Sequence, residues 1–321
     1  MSKRTRLFLL ASAGVLIAVV TAGVAARVVV GAVGSNIPEE LAYVTAATRM
    51  VVYADVHQLM TSPLHDRWRD LQRTGAPTGD DLEARTGIKF DRDIDHVVIA
   101  SAADTQGPSN RSLLIARGRF DQARIEGAMR QQGAQASTYR NKQLLSITDA
   151  AHDATVAFAE PGLLLFGPQA GVHDALDAKA GRGAVIASNR EFMALVDEVD
   201  DGTAWSVARF DSLSGRTPLP SSVISQLPPI DWIAASGHVD SGVRGLVRAE
   251  AHDAQAAQNL HDVVQGFLAL ARLQGSRDPA YKALLDSVVL NAQGKSVSMS
   301  FELTPAMLDT LRAQGTARRA R

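Results

Sequence analysis

The sequence predicts an α+β fold: two similar repeats of mostly antiparallel sheet with helices packed on one face, preceded by an N-terminal transmembrane or signal helix. Three observations indicate this class. β-rich runs such as residues 50–56 occur in groups joined by turn signals such as Pro161-Gly162. Helix starts such as Ser62-Pro63 fall between these groups instead of after every strand. A weak internal duplication is the third observation.

The duplication consists of matched segments that occur in the same order in both halves of the chain. The matched pairs are residues 52–59 with 206–213, 93–101 with 229–237, 113–121 with 246–253, and 155–178 with 288–313. A shared order is harder to obtain by chance than any one match. We therefore expect residues 95–101 and 231–237 to be equivalent strands in two superposable units.

Local signals assign elements to the first half. Ser62 before Pro63 is typical of an N-cap with proline at the first helical position, and predicts a helix to about Arg73. Asp121 predicts the cap of another helix, which Gly133 ends. The predicted strands are residues 50–56, 97–100, 112–120, 155–159 and 163–166, with turns at residues 139–142 and 161–162.

The two halves are joined by a predicted helix. Ser188 and Glu191 form an S-x-x-E capping box before an amphipathic run, so residues 188–201 are expected to connect the repeats. The second half then repeats the order of the first. Its predicted elements are a long helix at residues 253–273, a helix opened by Pro279, a hairpin at residues 293–294 and a last helix from Pro305 to about Gln314.

These signals divide the chain into five segments. Residues 1–33 form a membrane anchor or signal segment, and residues 316–321 a disordered basic tail. Residues 34–187 and 202–315 form the two α+β repeats, with the connecting helix at residues 188–201 between them.

The N-terminal segment predicts a single-pass inner-membrane protein. Three cations in the first six residues precede an apolar run from Leu7 to Ala26, which is long enough to span a membrane as a helix. The cations place the N-terminus in the cytoplasm and the C-terminal body in the periplasm or extracytoplasmic space. A cleaved signal peptide is the alternative, because small residues at 24–26 and 32–34 suit cleavage. The length of the run favours an uncleaved anchor.

Charge and cysteine content exclude several function classes. The segments 1–33 and 312–321 hold eight of the 33 basic residues and no acid, which leaves 25 basic and 34 acidic residues between them, a net charge of −9. An acidic body repels phosphate backbones, so no nucleic-acid partner is expected. The chain has no cysteine, which excludes disulfides, thiolate zinc sites and thiol redox chemistry.

Histidine and aspartate are neighbours at six places, an arrangement that invites a metal-dependent hydrolase interpretation. Metal ligands on a helix need spacing such as i and i+4, and no pair here has it. His65 and His173 are expected on exposed helix faces, and Asp121 and Asp253 as caps. The six pairs are His65-Asp66, Asp95-His96, His152-Asp153, His173-Asp174, His252-Asp253 and His261-Asp262.

Other short motifs also favour packing or turns over chemistry. Residues 294–296, Gly-Lys-Ser, resemble the end of a phosphate-binding loop, but Val289 stands where the loop needs glycine. Trp68, Trp205 and Trp232 are isolated, which favours core packing over a base-stacking platform. We therefore assign no catalytic, cofactor-binding or metal-binding residue, and no cofactor.

Several motifs resemble a family of uncharacterised bacterial envelope proteins, a domain of unknown function with an N-terminal membrane anchor. They are V-Y-A-D-V at residues 52–56, Ser-Pro-Leu at 62–64, T-G-I…R-D-I-D-H-V-V at 86–98, A-R-G-R-F-D at 116–121 and the turn at 139–142. The resemblance covers most of residues 45–200. It implies the membrane address and the repeat architecture, and it implies no activity, substrate or catalytic residue.

Three functions are compatible with the sequence. The favoured one is a membrane-tethered, non-enzymatic module that binds or scaffolds an envelope protein partner through the exposed face or edge of its sheet. An envelope hydrolase with dispersed site residues is the second. The third is a periplasmic carrier that holds a hydrophobic ligand between sheet and helices.

Overall fold

The computed structural model describes residues 38–64, 88–102, 112–148, 153–213, 227–275 and 279–309. These residues form two compact units, divided between Ala204 and Trp205. We call residues 38–204 the first unit and residues 205–309 the second unit. Residues 188–201, which were predicted to connect two repeats, belong to the first unit.

Helices and antiparallel strands make up both units, so the predicted α+β class is confirmed. The helices are α1 (Val56–Thr61), α2 (Phe90–Asp93), α3 (Gln122–Gln131), α4 (Gln169–Lys179), α5 (Arg190–Val196), α6 (Ala254–Gly275) and α7 (Pro279–Ser287). Short 3-10 helices occupy Glu39–Tyr43, Ile186–Ser188 and Phe210–Leu213. Residues 305–309 are also helical.

Strands β1 to β7 lie in the first unit, and β8 to β12 form the sheet of the second. They are β1 (Met50–Asp55), β2 (Ile94–Ser101), β3 (Ser112–Gly118), β4 (Gln135–Tyr139), β5 (Lys142–Thr148), β6 (Asp153–Glu160), β7 (Leu163–Gly167), β8 (Ala204–Arg209), β9 (Ile230–Val239), β10 (Val243–Ala251), β11 (Val289–Gln293) and β12 (Ser296–Leu303).

The sheet of the first unit has the order β1-β2-β3-β7-β6-β5-β4, and each neighbouring pair is antiparallel. Local hairpins supply most of these pairs, but β3 and β7 meet although α3 and three strands separate them in sequence. That pairing brings the end of β3 beside the turn between β6 and β7, where the N–H of Gly118 donates to the carbonyl of Gly162.

One face of this sheet packs against α3. Val97, Ala116 and Leu164 are cross-strand neighbours on β2, β3 and β7. They share a buried apolar cluster with Ile125 and Met129 of α3. Burial of this row against one helix is the expected arrangement for a sheet with a single covered face.

Helical segments also cover the opposite face of the first unit. Val98, Ile115 and Leu165 are cross-strand neighbours on that face and are fully buried. Helix α4 contacts β3, β6 and β7, and its Val172 is fully buried. The expectation of helices on one face only is therefore wrong for this unit. The physical reason is that β3 and β7 carry apolar residues at successive positions, and both sides of such a strand need burial.

The sheet of the second unit has the order β8-β9-β10-β12-β11. The pairs β9–β10, β10–β12 and β12–β11 are antiparallel. Helix α6 packs on one face, where Ala257 and Leu260 join Ala249 of β10 and Val297 of β12 in a buried cluster. Helix α7 packs on α6 through Leu285.

Aspartate side chains cap the starts of three helices. Asp55, Asp121 and Asp253 each accept a backbone N–H from the first turn, at 2.8, 3.0 and 2.7 Å respectively. Each bond satisfies one of the N–H groups that a helix start leaves without an internal partner. The predicted caps Asp121 and Asp253 are confirmed, while Asp55 was not identified from the sequence.

Two predicted serine caps act differently. The hydroxyl of Ser188 donates to the carbonyl of Val185 at 2.7 Å, and Asn189 caps α5 by accepting from the N–H groups of Glu191 and Phe192, both at 3.1 Å. The predicted capping box is wrong because the adjacent asparagine is at least as good a cap. Ser62 donates to the carbonyl of Leu59 at 2.8 Å, at the end of α1.

The predicted turns at residues 139–142 and 161–162 are confirmed, whereas α5 ends at Val196, before the end predicted for the connecting helix at residue 201. Residues 63–64 are helical, but the rest of the helix predicted to Arg73 lies outside the described residues, as does the end predicted at Gln314. Arg140 and Asn141 both have positive φ, which is the signature of a two-residue type I′ hairpin loop between β4 and β5.

The predicted membrane segment from Leu7 to Ala26 also lies outside the described residues. Within the described ranges, no helix combines the length and the hydropathy needed to cross a membrane.

Candidate functional site

A partly buried group of charged and polar side chains is the candidate site of the first unit, and we call it the Glu40 cluster. The 3-10 helix Glu39–Tyr43 brings its first members onto the sheet face that α4 covers, and β2, β3, β6 and α4 supply the others. The members of the Glu40 cluster are Glu40, Tyr43, His96, Arg117, Glu160 and Lys179.

Glu40 is the centre of the cluster and is only 2% exposed. Its Oε1 accepts from Nε of Arg117 at 2.7 Å. Nε2 of His96 lies 3.2 Å from the same oxygen, an ion-pair distance, although the ring is not aligned for a hydrogen bond. A buried carboxylate needs such partners, because removal from water penalises an unpaired charge.

The environment keeps Glu40 ionised. Burial by itself would raise the pKa of this carboxyl, but the contact with His96 and the hydrogen bond from Arg117 outweigh burial and lower the pKa to about 2. A carboxylate this acidic is a poor general base near neutral pH.

A second carboxylate, Glu160, continues the cluster. Its Oε1 accepts from the hydroxyl of Tyr43 at 2.8 Å and lies 3.1 Å from Nζ of Lys179, and these two partners lower its pKa. Nζ of Lys179 also stands 4.9 Å from the ring centroid of Tyr43. Burial and the hydrogen bond to Glu160 raise the pKa of Tyr43, so its hydroxyl stays protonated and donates.

The Glu40 cluster holds the segment before β1 in place. Tyr43 and Leu41 are 2% and 1% exposed, and backbone bonds of 2.8 Å join Ala46 to Ala184 and Ile186 to Val44. Each carboxylate in the cluster is paired with a cation of the same cluster. The arrangement therefore docks a chain segment onto the sheet, and no member is poised as an acid, base or nucleophile.

A smaller polar group lies on the second unit, on the sheet face opposite α6, and we call it the Glu250 cluster. Arg248 donates from Nε to Oε1 of Glu250 at 2.8 Å and from Nη2 to the hydroxyl of Ser296 at 2.7 Å. The hydroxyl of Ser296 in turn donates to Glu250, and Nζ of Lys295 lies 3.9 Å from Oε2 of that residue. Ser296 therefore contacts a carboxylate that already has two cationic neighbours, which is not the serine–histidine arrangement of a nucleophile.

The two clusters occupy matched positions of the predicted duplication. His96 faces Arg117 across β2 and β3, and Trp232 faces Glu250 across β9 and β10. His96 and Trp232 occupy the same position in their matched segments, and so do Arg117 and Glu250. Arg117 could have been found from the sequence, because this cation interrupts an apolar strand. Tyr43, Glu160 and Lys179 have no comparable sequence signal.

The histidines singled out in the sequence lie in several different environments. His96 belongs to the Glu40 cluster. His173 was expected on an exposed helix face but is half-buried, because its ring stacks on Tyr139 with 3.9 Å between centroids. His252 lies 3.4 Å from Asp231 and is largely exposed. The remaining pairs contain His65 and His152, which lie outside the described residues, and His261, which contacts Asp262 at 3.2 Å.

Among the described residues, no group of three or more histidine, aspartate and glutamate side chains could hold a metal ion. Trp205 and Trp232 are buried, as the packing interpretation predicted, and Arg209 lies over the ring of Trp232 at 5.1 Å. Trp68 lies outside the described residues.

An open groove of about 330 Å³ lies in the first unit, between residues 45–47 and the C-terminal end of α4. Asp174, Asp177 and Arg182 supply its charged lining. Asp177 is already engaged, since it accepts from Tyr139 at 2.8 Å and from Arg140 at 2.6 Å. Ligand sites of this volume are usually enclosed, and this groove is open to solvent.

Comparison with protein-family models and with curated proteins gave no match. Among solved structures, one described as crystal form III of TP0453 is similar to 88% of this chain and 100% of its own, at 10% identity and a TM-score of 0.49. A likeness this distant identifies neither a family nor a function.

Proposed function

We propose that the chain is a membrane-tethered, non-enzymatic module that binds or scaffolds another component of the bacterial envelope. The run from Leu7 to Ala26 would be the tether, and the folded units would lie on the extracytoplasmic side. The proposed family is the membrane-anchored envelope family that the sequence motifs resemble.

The observation that carries the proposal is the fixed entry of the chain into the first unit. Glu40 and Tyr43 are buried and ion-paired or hydrogen-bonded at the start of the described residues. Only residues 27–37 separate this fixed segment from the apolar run, and a chain of that length spans at most about 40 Å. A body attached through so short a connection stays close to the membrane surface, where envelope partners are located.

The chemistry of the clusters supports a binding role over catalysis. Glu40 and Glu160 are paired with cations, and Glu250 is paired with Arg248. An enzyme needs at least one group with a pKa and geometry suited to proton transfer or attack, and these pairs hold theirs in structural contacts. The buried sheet faces of the first unit likewise favour scaffolding over a carrier with an apolar cavity.

We also infer that the two units arose by duplication. The strand order β1-β2-β3-β7-β6 in the first unit parallels β8-β9-β10-β12-β11 in the second. The hairpin β4–β5 is an addition to the first unit, because the second unit has no strands at the corresponding place among its described residues. The matched cluster positions also support this inference.

Membrane fractionation tests the tether. The full chain should remain in the inner-membrane fraction after high-salt washing and should be digested when protease is added to spheroplasts. The control is Leu16→Arg with Val20→Arg, because two charges at the centre of the run each cost about 3 kcal/mol of insertion. Recovery of the unmodified chain as an intact, salt-soluble protein would overturn the proposal.

Chemical cross-linking of the intact membrane fraction tests the binding role. One envelope component should co-purify reproducibly with the anchored chain after cross-linking and affinity purification. A chain that purifies alone, but hydrolyses an envelope substrate, would favour the enzyme alternative instead.

A further inference from the structure

Among the described residues, no strand pairs with the outer edge of β4, which is therefore an open edge of the first-unit sheet. β4 (Gln135–Tyr139) is the terminal strand of its sheet order, and within the described ranges it pairs with β5 alone. The hairpin β4–β5 extends the sheet beyond the strands that the two units share. Residues 135–138 are exposed, so the strand stands clear of the buried core.

β4 lacks the features that usually protect an edge strand. Its sequence, Gln-Ala-Ser-Thr-Tyr, contains no charge and no proline, and its register with β5 runs without a bulge. Natural edges are commonly blunted by lysine, proline, a bulge or a covering helix. The edge strand of the second unit, β11, differs because α6 packs against it. β4 is therefore the better template for an added strand.

The hairpin geometry determines which backbone groups point outward. Tyr139 and Lys142 flank the two-residue loop, so they form the hydrogen-bonded pair that closes the hairpin. Pairs alternate along an antiparallel ladder, so Ser137 is also bonded to β5. Ala136 and Thr138 then direct their N–H and C=O groups away from β5, toward the open edge.

We propose that the β4 edge pairs with the β4 edge of a second copy of this chain, antiparallel and about a two-fold axis at Ser137. In this register Ala136 of one copy exchanges hydrogen bonds with Thr138 of the other, and the two Ser137 residues form the central non-hydrogen-bonded pair. Gln135 faces Tyr139 at each end. The register uses the outward groups of both copies and places no charge opposite a like charge.

This pairing goes beyond the proposed function, because the partner is a second copy of this chain and not another envelope component. An isologous two-fold contact is the commonest form of protein self-association. A membrane tether favours it further, because two copies confined to one surface have a high effective concentration. A ladder of four hydrogen bonds, which is weak in solution, is then sufficient to hold two copies together on the membrane.

The natural absence of cysteine permits a direct test by disulfide trapping in membranes. Ser137→Cys places a single thiol at the two-fold axis of the full chain. Cα atoms of a non-hydrogen-bonded antiparallel pair are about 4.5 Å apart, within the range of a disulfide. Mild oxidation of the membrane fraction should convert most of the chain to a species of twice its 34.1 kDa mass on a non-reducing gel.

Two single-cysteine variants provide matched controls. Gln135→Cys lies on the same strand and is equally exposed, but the two thiols would be roughly 13 Å apart along the paired strands. Asn291→Cys lies at the centre of β11, the other edge strand. Neither variant should form the linked species. Equal linking of Ser137→Cys and Gln135→Cys, or linking through Asn291→Cys instead, would overturn the proposal.

Charge variants test the same register without a covalent bond. Two differently tagged copies of the chain should co-purify, and Ser137→Lys in both copies or Ser137→Glu in both should reduce co-purification several-fold, because like charges would face each other. A mixture of Ser137→Lys and Ser137→Glu copies should restore it. Undiminished co-purification of the lysine variant with itself would overturn the proposal.

The failures of the two proposals are distinguishable. Membrane-bound chains that retain an envelope component but do not link through residue 137 would overturn the β4 pairing and leave the proposed function standing. Linking through residue 137 in a salt-soluble chain would support the pairing and overturn the tether.

Discussion

Asp95 and Asp231 are each the extra residue of a β-bulge at matched positions of the two units. Around Asp95, β2 advances by two residues while β3 advances by one, and β9 does the same relative to β10 around Asp231. A bulge re-aims the side chains that follow it. The residues that follow here are His96 and Trp232, which lie on the faces that carry the two polar clusters.

Glu40→Gln should destabilise the first unit in a pH-dependent way. The pKa of Glu40 is about 2 in the folded chain against 4.5 for an ordinary glutamate, so its contribution is complete above pH 4.5 and is lost as the pH falls toward 2. The full shift corresponds to about 3 kcal/mol. Urea unfolding followed by tryptophan fluorescence should therefore show a large difference in the free energy of unfolding between variant and natural chain at pH 7, and about half that difference or less at pH 3. A difference that is constant with pH would contradict this assignment.

Among substitutions of charged residues in this chain, Arg117→Met should be one of the most destabilising. It leaves Glu40 buried without its hydrogen-bonded cation, and breaking a buried pair in this way costs about 3–5 kcal/mol. Arg130→Met is the control, because Arg130 is exposed and its pair with Glu126 is a helix-surface contact. Its effect on the free energy of unfolding should stay below about 0.5 kcal/mol. Equal effects of the two substitutions would show that the Glu40 cluster contributes little to the free energy of unfolding.

His96→Ala should destabilise the chain more than His252→Ala does. His96 lies against Glu40 and its ring centroid is 5.5 Å from that of Tyr53, so its loss should cost about 1–2 kcal/mol. His252 is 69% exposed in its side chain, and its loss should cost less than about 0.5 kcal/mol. Acid unfolding should also begin at a higher pH in His96→Ala, because the histidine helps to lower the pKa of Glu40.

Local elements could be predicted from the sequence because their causes are local. Asp121 and Asp253 cap helices from adjacent positions, and Pro161-Gly162 forms a turn between neighbouring strands. The Glu40–Arg117 contact could not be found in this way, because the two residues are 77 positions apart and only the packed sheet brings them together. The second covered sheet face does have a local signal, because β3 and β7 carry apolar residues at successive positions.

Gly162→Ala should be more destabilising than Gly133→Ala. Both glycines have positive φ, which costs an alanine about 1 kcal/mol. A Cβ at Gly162 would also lie 2.7 Å from the carbonyl oxygen of Gly118, whereas a Cβ at Gly133 would meet nothing within 4 Å. The clash acts on the junction between β3 and the β6–β7 turn, beside Arg117. Thermal unfolding of the two variants measures the difference, and equal midpoints would contradict it.

The last prediction concerns the duplication. Superposition of the two units, each taken by itself, should place β1, β2, β3, β7 and β6 on β8, β9, β10, β12 and β11. Asp95 should fall on Asp231, because a bulge one residue away would turn every later side chain of the strand to the other face. The matched residues already differ in chemistry, since His96 and Arg117 correspond to Trp232 and Glu250. Conserved backbone geometry with exchanged side chains is what divergence after duplication would produce. If the two bulges do not coincide in this superposition, or if the matched strands diverge, the sequence similarity is a coincidence of composition.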